Sequence, residues 1–277
     1  MKMKKVLKVL GAILLVLAII FGLWFLKFKM TSLTYSNMSD EKTLDYVSKE
    51  LLDSGVPKEN VDIFKKQVED TNKVLGDFHS FKDGFTDIKG TIVNYDEVLS
   101  FDLFGKALIP FDVNCRVSAW NLMKDIIEVK PYTGDLEQFH FEEGIITTYE
   151  NTGFTQDDAG NFFGLFEPVP SKLLRTPGGH IKEVQKEWNK RGVKFEDSNR
   201  KLISCFAYDP IDKDLKAQHV GMMIERENDI LFVEKPMPNL PFQASIFKNK
   251  DELENHLKQR FIVRFLPIIL MENDKPF

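Results

Sequence analysis

Four short runs near the C-terminal end decide the predicted fold: "KLISCFAYD" (201–209), "AQHVGMMIE" (217–225), "DILFVEK" (229–235) and "FQASIFK" (242–248). Each run contains β-branched or aromatic residues, and turn-forming residues such as Asp, Pro and Asn separate one run from the next. Short runs joined by tight turns are typical of antiparallel strands. The sequence therefore predicts an antiparallel meander of four strands.

Helices are predicted on both sides of this meander. Two segments, "SDEKTLDYVSKELLDSG" (39–55) and "PKENVDIFKKQVEDTNKVL" (57–75), carry apolar residues at helical spacing and form a predicted helical hairpin. Ser39 is the predicted cap of the first helix. Helices that precede a sheet along the chain indicate the α+β class. The predicted main domain, residues 31–277, comprises the hairpin (31–76), a helix-rich half with the cysteine helix (77–200), and the sheet with a closing helix (201–264).

The N-terminus carries 18 consecutive residues without charge, "VLGAILLVLAIIFGLWFL" (9–26). A helix of that length spans about 27 Å, close to the hydrocarbon thickness of a bilayer. Four lysines precede the segment and two follow it, so the positive-inside rule places the N-terminus in the cytoplasm. We therefore expect residues 1–30 to form a single-pass anchor in the cell membrane, with residues 31–277 extracellular. A cleaved signal peptide is the alternative, although its apolar part is usually shorter, about 7 to 15 residues.

The charge distribution excludes one class of partner. The 277-residue chain has a net charge of −5, and its first 30 residues contribute six lysines and no acidic residue. Without these six positive charges, the rest of the chain carries −11. Nucleic-acid binding needs clusters of Lys and Arg, so this acidic remainder argues against a nucleic-acid partner. The sequence implies no cofactor.

The stretch "VNCRVSAWNLMKD" (113–125) carries the first candidate for chemistry. Cys115 directly precedes a predicted helix that places Val117, Trp120 and Met123 on one face. At a helix N-terminus, the helix dipole and the unpaired amides favour negative charge and lower the pKa of a thiol. The same amides are suited to hold the oxyanion of a tetrahedral intermediate. Cys115 is therefore a candidate nucleophile.

A cysteine nucleophile needs a base and a group that orients the base. His219 stands at the entry of a predicted strand, where a rigid sheet can hold an imidazole. If this strand and the next form a hairpin, facing residues have numbers that sum to about 454, which places Glu234 near Val220 and beside His219. Glu234 is therefore the predicted orienting carboxylate. Gln243 is a second polar candidate for orientation or oxyanion contact.

Other residues around the predicted site have weaker roles. Asn114 and Arg116 flank the cysteine and are expected to shape the entrance to the site. Four further histidines compete for the role of base: His79, His140, His180 and His256. The first two lie in irregular stretches, the third is expected to be a neighbour of a helix cap, and the fourth is expected to be solvated in a charged helix.

Simpler interpretations of the same residues stay open. Cys115 can be a structural cysteine, His219 an ordinary strand residue, and Glu234 the surface partner of Lys235. A Cys–His–Glu metal site is a further alternative, weakened by the lack of a close second ligand. Cys205 is expected to be a buried small residue. A disulfide between Cys205 and Cys115 is also possible in an oxidising exterior.

Five stretches together carry a resemblance to a known family: "NCRVSAWNLMKD", "EVQKEWNKRGVKF", "KLISCF", "HVGMMI" and "LFVEKPMPNLPFQASIF". They are similar to the bacterial domain-of-unknown-function 4300 family over roughly residues 33–260. The resemblance implies an exported protein of low-GC Gram-positive bacteria that is held at the cell surface. The chain departs from the family in its plain apolar anchor, in Cys205, and in a tail that runs on after Arg260.

A second resemblance concerns mechanism. A cysteine at a helix start, then "HVG" opening a strand, then a polar residue on the following strand is similar to the NlpC-type branch of papain-like cysteine hydrolases. That resemblance implies a cysteine that attacks an amide, a histidine that acts as base and then acid, and a polar residue that orients it. Cys115, His219 and Glu234 match in order, with a large insertion between the first two.

The sequence thus predicts an anchored α+β protein whose papain-like core packs a cysteine-bearing helix on an antiparallel sheet. The expected activity is hydrolysis or transfer at an amide, with peptidoglycan or another cell-wall peptide as the substrate because of the location. One alternative is a non-catalytic surface binding module with a degenerate site. Another is a purely structural membrane protein that works within a complex.

Overall fold

A computed structural model of the protein describes residues 15–16, 19, 22, 32–76, 81–90, 93–95, 113–133, 152–172, 176–261 and 268–277. From residue 32 onward, the described residues form six α-helices together with an extended β-sheet. This architecture confirms the α+β class. The helices are α1 (Glu41–Asp53), α2 (Lys58–Leu75), α3 (Cys115–Met123), α4 (Gln156–Phe166), α5 (Pro177–Lys190) and α6 (Lys250–Phe261).

Nine strands form one sheet whose neighbours are antiparallel, in the order β11-β10-β6-β7-β8-β9-β1-β2, with β4 paired to the start of β7. The remaining strands, β3 and β5, form a separate two-stranded ribbon. The strands are β1 (Ser32–Ser36), β2 (Thr86–Lys89), β3 (Ile127–Glu128), β4 (Val169–Pro170), β5 (Lys194–Phe195), β6 (Arg200–Asp209), β7 (Asp214–Glu225), β8 (Ile230–Glu234), β9 (Gln243–Phe247), β10 (Ile268–Glu272) and β11 (Lys275–Pro276).

The predicted four-stranded meander is confirmed as β6 to β9, but the sheet is larger than the meander. On one side β10, from the C-terminal tail, pairs with β6. On the other side β1, which precedes all six helices, pairs with β9. The prediction of helices followed by a sheet was therefore incomplete, because both ends of the described chain also contribute strands.

The predicted helical hairpin is confirmed as α1 and α2. Asp40, rather than the predicted Ser39, caps α1, because its carboxylate accepts a hydrogen bond from the Thr43 amide at 2.9 Å. The connection to α2 passes through Gly55, whose φ of 92° is accessible to glycine without steric cost.

Each face of the sheet has its own cover. On one face, Val220 and Met222 of β7 join a core built with α1 to α5. On the other face, Met223 of the same strand packs in a second core with Leu253 and Leu257 of α6. Because side chains alternate along a strand, one strand supplies residues to both cores.

A β-bulge in β7 lies directly before the residue predicted to be the base. Cys205 of β6 pairs with His219, whereas the next residue of β6 pairs with Ala217, which leaves Gln218 as an extra residue. Ala217 before the bulge and Val220 after it both belong to the core beneath α1 to α5. Since side chains alternate on either side of the bulge, His219 is turned to the opposite face, which α6 covers.

The predicted membrane anchor, residues 9–26, lies largely outside the described residues. Its described members, residues 15, 16, 19 and 22, are helical, and the side chains of Leu15, Val16 and Ile19 are 63%, 54% and 53% exposed. Within the part of the chain that the structure describes, no helix has both the length and the apolar character needed to cross a membrane.

Candidate functional site

Cys115 is the first residue of α3, one position further into the helix than the sequence predicted. Asn114 is the cap of the helix, and its side-chain oxygen accepts a hydrogen bond from the Val117 amide at 2.9 Å. This bond fixes the start of the helix at the cysteine, where the dipole of α3 favours a negative charge. Cys115 is a free thiol and is partly exposed. The predicted flanking role of Asn114 is therefore that of a helix cap.

His219 and Glu234 lie side by side on the face of the sheet covered by α6. Glu234 pairs with Gly221 in the β7–β8 register, one residue away from the predicted neighbour Val220. The His219 Nε2 atom lies 2.5 Å from the Glu234 Oε2 atom, and both residues are at most 2% exposed. Gly221 leaves no free space beside them, because a Cβ atom there would lie 2.4 Å from the Phe232 ring.

The cysteine and the histidine are in contact. The Cys115 thiol and the His219 side chain lie within hydrogen-bonding reach of each other and interact by charge. Glu234 engages the Nε2 atom of the same imidazole. The structure thus brings together all three residues that the sequence predicted, in the order thiol, imidazole, carboxylate.

The electrostatics of the pair favour a charged state. Burial would raise the pKa of the Cys115 thiol, but the hydrogen bond and charge of His219, together with Arg116, hold that pKa below its usual value. Burial would lower the pKa of His219, but the Glu234 charge and the bonds to Glu234 and Cys115 raise it to about 9. Both shifts favour transfer of the thiol proton to the imidazole, which gives a thiolate–imidazolium pair.

Glu234 is held by more groups than the sequence suggested. The Arg260 Nη1 atom, from the last turn of α6, donates to both carboxylate oxygens, at 2.8 and 2.6 Å. The Nε2 atom of His256 lies 3.8 Å from the carboxylate. Burial would raise the pKa of Glu234, but the charges of Arg260 and His219 hold it well below the usual value. The carboxylate is therefore an anion.

Gln243 connects this carboxylate to a second polar chain. Its Nε2 atom lies 3.5 Å from Glu234 and donates to the Ser245 hydroxyl at 2.8 Å. The Tyr95 hydroxyl donates to the Gln243 carbonyl at 3.0 Å and accepts from Asn37 at 2.8 Å. Gln243 therefore supports the orienting carboxylate. Burial raises the pKa of Tyr95, so its hydroxyl stays a donor.

The competing histidines have other environments. His256 was predicted to be solvated, and this is wrong: it is 2% exposed, because its helix turns this side chain towards the sheet. His180 is more than a cap neighbour, since it is fully buried, stacks on Tyr208 and has its Nδ1 atom 2.8 Å from the Ser171 hydroxyl. His79 and His140 lie outside the described residues.

The second cysteine is separate from this chemistry. Cys205 is 1% exposed, as expected for a buried small residue, and it is a free thiol like Cys115. Burial raises the pKa of Cys205, so it stays protonated at neutral pH. The structure therefore contains two thiols of opposite character rather than a disulfide between them.

One carboxylate cluster among the described residues has the spacing of a metal site. The ligand atoms of Asp209, Asp212 and Asp214, in the β6–β7 turn, lie within 4.8 Å of one another. The Lys216 ammonium lies 3.1 Å from Asp209 and also contacts Asp212. A cation of the protein itself thus neutralises the cluster, and we assign no metal to it.

Sequence reasoning missed Arg260, His256 and Tyr95. A signal for the first two exists in the helix spacing: residues 253, 256, 257 and 260 share one face of α6, and Leu253 and Leu257 mark that face as buried. No comparable signal identifies Tyr95, which reaches Gln243 from a segment distant in sequence.

Comparison with known proteins gives a family and no established activity. A family model described as "Domain of unknown function (DUF4300)" matches residues 34–277. No curated protein and no solved structure matches the chain. The family match includes the tail after Arg260, which the sequence interpretation had treated as a departure. The likeness to NlpC-type hydrolases and the origin at a Gram-positive surface stay predictions. The chain belongs to the DUF4300 family.

Proposed function

We propose that this protein is a cysteine-dependent amide hydrolase or transferase that acts on cell-wall peptide. The observation that carries the proposal is the contact chain from Cys115 through His219 to Glu234, with its thiolate at the start of a helix. A structural cysteine has no need of a buried imidazole that is itself held by a buried carboxylate. Perturbed pKa values of this kind cluster at functional sites.

The geometry supports a two-step reaction. The Cys115 thiolate attacks the carbonyl carbon of an amide, and the backbone amides of the first turn of α3 stabilise the oxyanion. The His219 imidazolium then gives its proton to the leaving amine, so that the C–N bond breaks and a thioester remains. Neutral His219 next takes a proton from water, or from an acceptor amine, whose attack on the thioester restores the thiolate. Glu234 orients the ring throughout and stabilises its charged form.

The supporting residues have defined parts in this scheme. Asn114 fixes the start of α3 and therefore the position of the thiol. Arg116 adds positive charge beside the thiolate. Gln243 supports the Glu234 carboxylate. Peptidoglycan is proposed as the substrate because the apolar segment at residues 9–26 and the lysines around it favour an anchored protein with its body outside the cell.

The test compares amide cleavage by the parent protein and by Cys115→Ala on purified peptidoglycan, measured as newly released amino groups. Cys205→Ala is the matched control, because it removes the other free thiol. We expect activity in the parent and in Cys205→Ala, and loss of activity in Cys115→Ala and His219→Ala. Equal release by the parent and Cys115→Ala would refute the proposal and favour a non-catalytic binding module.

A further inference from the structure

Helix α6 covers the face of the sheet on which His219 and Glu234 lie. Leu253 and Leu257 anchor the helix in the core beneath it. The same face of the helix carries His256 and Arg260, so the packing that buries the leucines also brings these two side chains to Glu234. The position of Arg260 is thus set by apolar packing and not by its charge alone.

One guanidinium nitrogen of Arg260 contacts both oxygens of the Glu234 carboxylate. One guanidinium nitrogen lies 2.8 and 2.6 Å from the two oxygens of a carboxylate that is fully buried, while the Arg260 side chain is 16% exposed. Hydrogen bonds between ionised groups are about twice as strong as neutral ones, and burial reduces the screening of the charges. Rotation of the carboxylate away from His219 would require both of these contacts to break.

The four groups form a line of alternating charge: the Cys115 thiolate, the His219 imidazolium, the Glu234 carboxylate and the Arg260 guanidinium. With two negative and two positive members, the line is neutral, which lowers the free-energy cost of burying its charges. Without Arg260 the line carries a net charge of −1. The group that then gains a proton most easily is the thiolate, because a thiol is a weaker acid than a carboxylic acid.

We propose that Arg260 is a positioning residue of the cysteine site, which fixes the Glu234 carboxylate and, through it, the imidazole that keeps Cys115 ionised. This inference rests on the proposed function for its biological meaning, but its physical content is the state of the thiol. The other groups that face Glu234 are His219 from β7, Gln243 from β9 and His256 from α6.

The experiment measures the rate of alkylation of Cys115 by iodoacetamide in the full-length protein, from about pH 5 to about pH 9, with the labelled site identified by mass spectrometry. In Arg260→Gln we expect the midpoint of the pH profile to rise by about one unit, so that the rate below the midpoint falls about tenfold. Arg260→Lys should recover part of this loss, since it keeps the charge but not the planar guanidinium.

The matched control is Arg226→Gln. Arg226 is 17% exposed and also binds two carboxylates, Glu50 and Asp229, at 3.1 and 2.6 Å, but neither belongs to the site. Its removal should leave the alkylation profile unchanged. A second control tests whether Arg260 acts through Glu234. In a Glu234→Gln background, Arg260→Gln should shift the midpoint of the alkylation profile no further, because the two changes act through one contact.

The outcomes separate this inference from the proposed function. A parent protein that labels with the pH dependence of an ordinary thiol would overturn the activated cysteine itself. A parent with a low midpoint that Arg260→Gln does not move would overturn only the role of Arg260. If Arg260→Gln does not fold, Arg260→Lys decides the question, and an unaltered profile in that variant overturns the inference.

Discussion

Replacing Cys115 by alanine is expected to make the stability of the fold depend on pH, where the stability of the parent protein is nearly constant. The prediction concerns the window between the ordinary pKa of histidine, 6.5, and the raised pKa of His219, about 9. In the parent, folding transfers a proton from the thiol to the imidazole in the part of this window that lies above the lowered pKa of Cys115. The folded and unfolded states then bind the same number of protons, and the pair contributes no slope to the stability curve.

The sign follows from each group taken alone. The raised pKa of His219 stabilises the fold fully below 6.5, and this stabilisation is lost as the pH rises through about 9. The lowered pKa of Cys115 acts in the opposite direction: its contribution is present above the ordinary thiol pKa of 9.0 and is lost as the pH falls through the lowered value. In Cys115→Ala only the first effect remains, so stability should fall as the pH rises.

The size of the effect follows from a difference of one bound proton between the folded and unfolded states. A difference of one bound proton changes the free energy of unfolding by about 1.4 kcal/mol per pH unit. Part of the rise in the His219 pKa comes from Cys115 and is lost with it, whereas the larger part comes from Glu234 and remains. Across the window we therefore expect a loss of roughly 1 to 3 kcal/mol in Cys115→Ala that the parent does not show.

The assay is urea denaturation of both proteins at the two ends of the window. The quantity compared is the change in unfolding free energy with pH in the variant minus that in the parent, so groups titrating in both cancel. Cys205→Ala should behave as the parent does, because Cys205 is a buried thiol whose pKa is raised. Parallel pH dependence in Cys115→Ala and the parent would refute the thiolate–imidazolium pair.

Three further changes test the parts of the site. Asn114→Ala should lower the unfolding free energy by about 1 kcal/mol in urea denaturation, since it removes the cap of α3; a loss below a few tenths would contradict the role of the cap. Gly221→Ala should destabilise by roughly 1 to 3 kcal/mol in the same assay, because the new methyl would lie 2.4 Å from the Phe232 ring; an Ala variant as stable as the parent would show that the ring moves freely. Deleting Gln218 removes the bulge but leaves the pairing of β6 and β7 in register on both sides, so His219 should keep its direction and the thiol should still be alkylated at low pH; loss of that alkylation in a folded deletion variant would contradict this register.

The contact between His219 and Glu234 could be predicted because the two strands are joined by a short turn. A hairpin ties the register to the turn, so an error of one residue in the turn displaces the predicted partner by one, from Val220 to Gly221. The bulge at Gln218 could not be predicted, because the run around it reads as a regular strand. The sequence thus indicated which residues meet, but not the irregularity in the strand directly before the imidazole.

Other parts of the fold depend on contacts that no short sequence pattern predicts. The stretch "DDAGNFFGLFE", whose likeness to a calcium loop is weak, forms most of α4. A Cβ atom at Gly164 would lie 2.4 Å from the Lys130 carbonyl oxygen, so this glycine permits close packing. In α6 the surrounding charges suggested that His256 is solvated, and only the apolar stripe beside it shows otherwise.

The place of β1 in the sheet has a consequence for how the chain is made. Thr34 pairs with Ile246, 212 positions later, and the tail strand β10 pairs on the far side of the meander. A ribosome delivers β1 early and its partner strand near the end, so the sheet cannot be completed until synthesis is almost finished. Until then the edge of β1 that receives β9 is unpaired and open to association with other chains, and a sheet with such distant pairings is expected to assemble slowly.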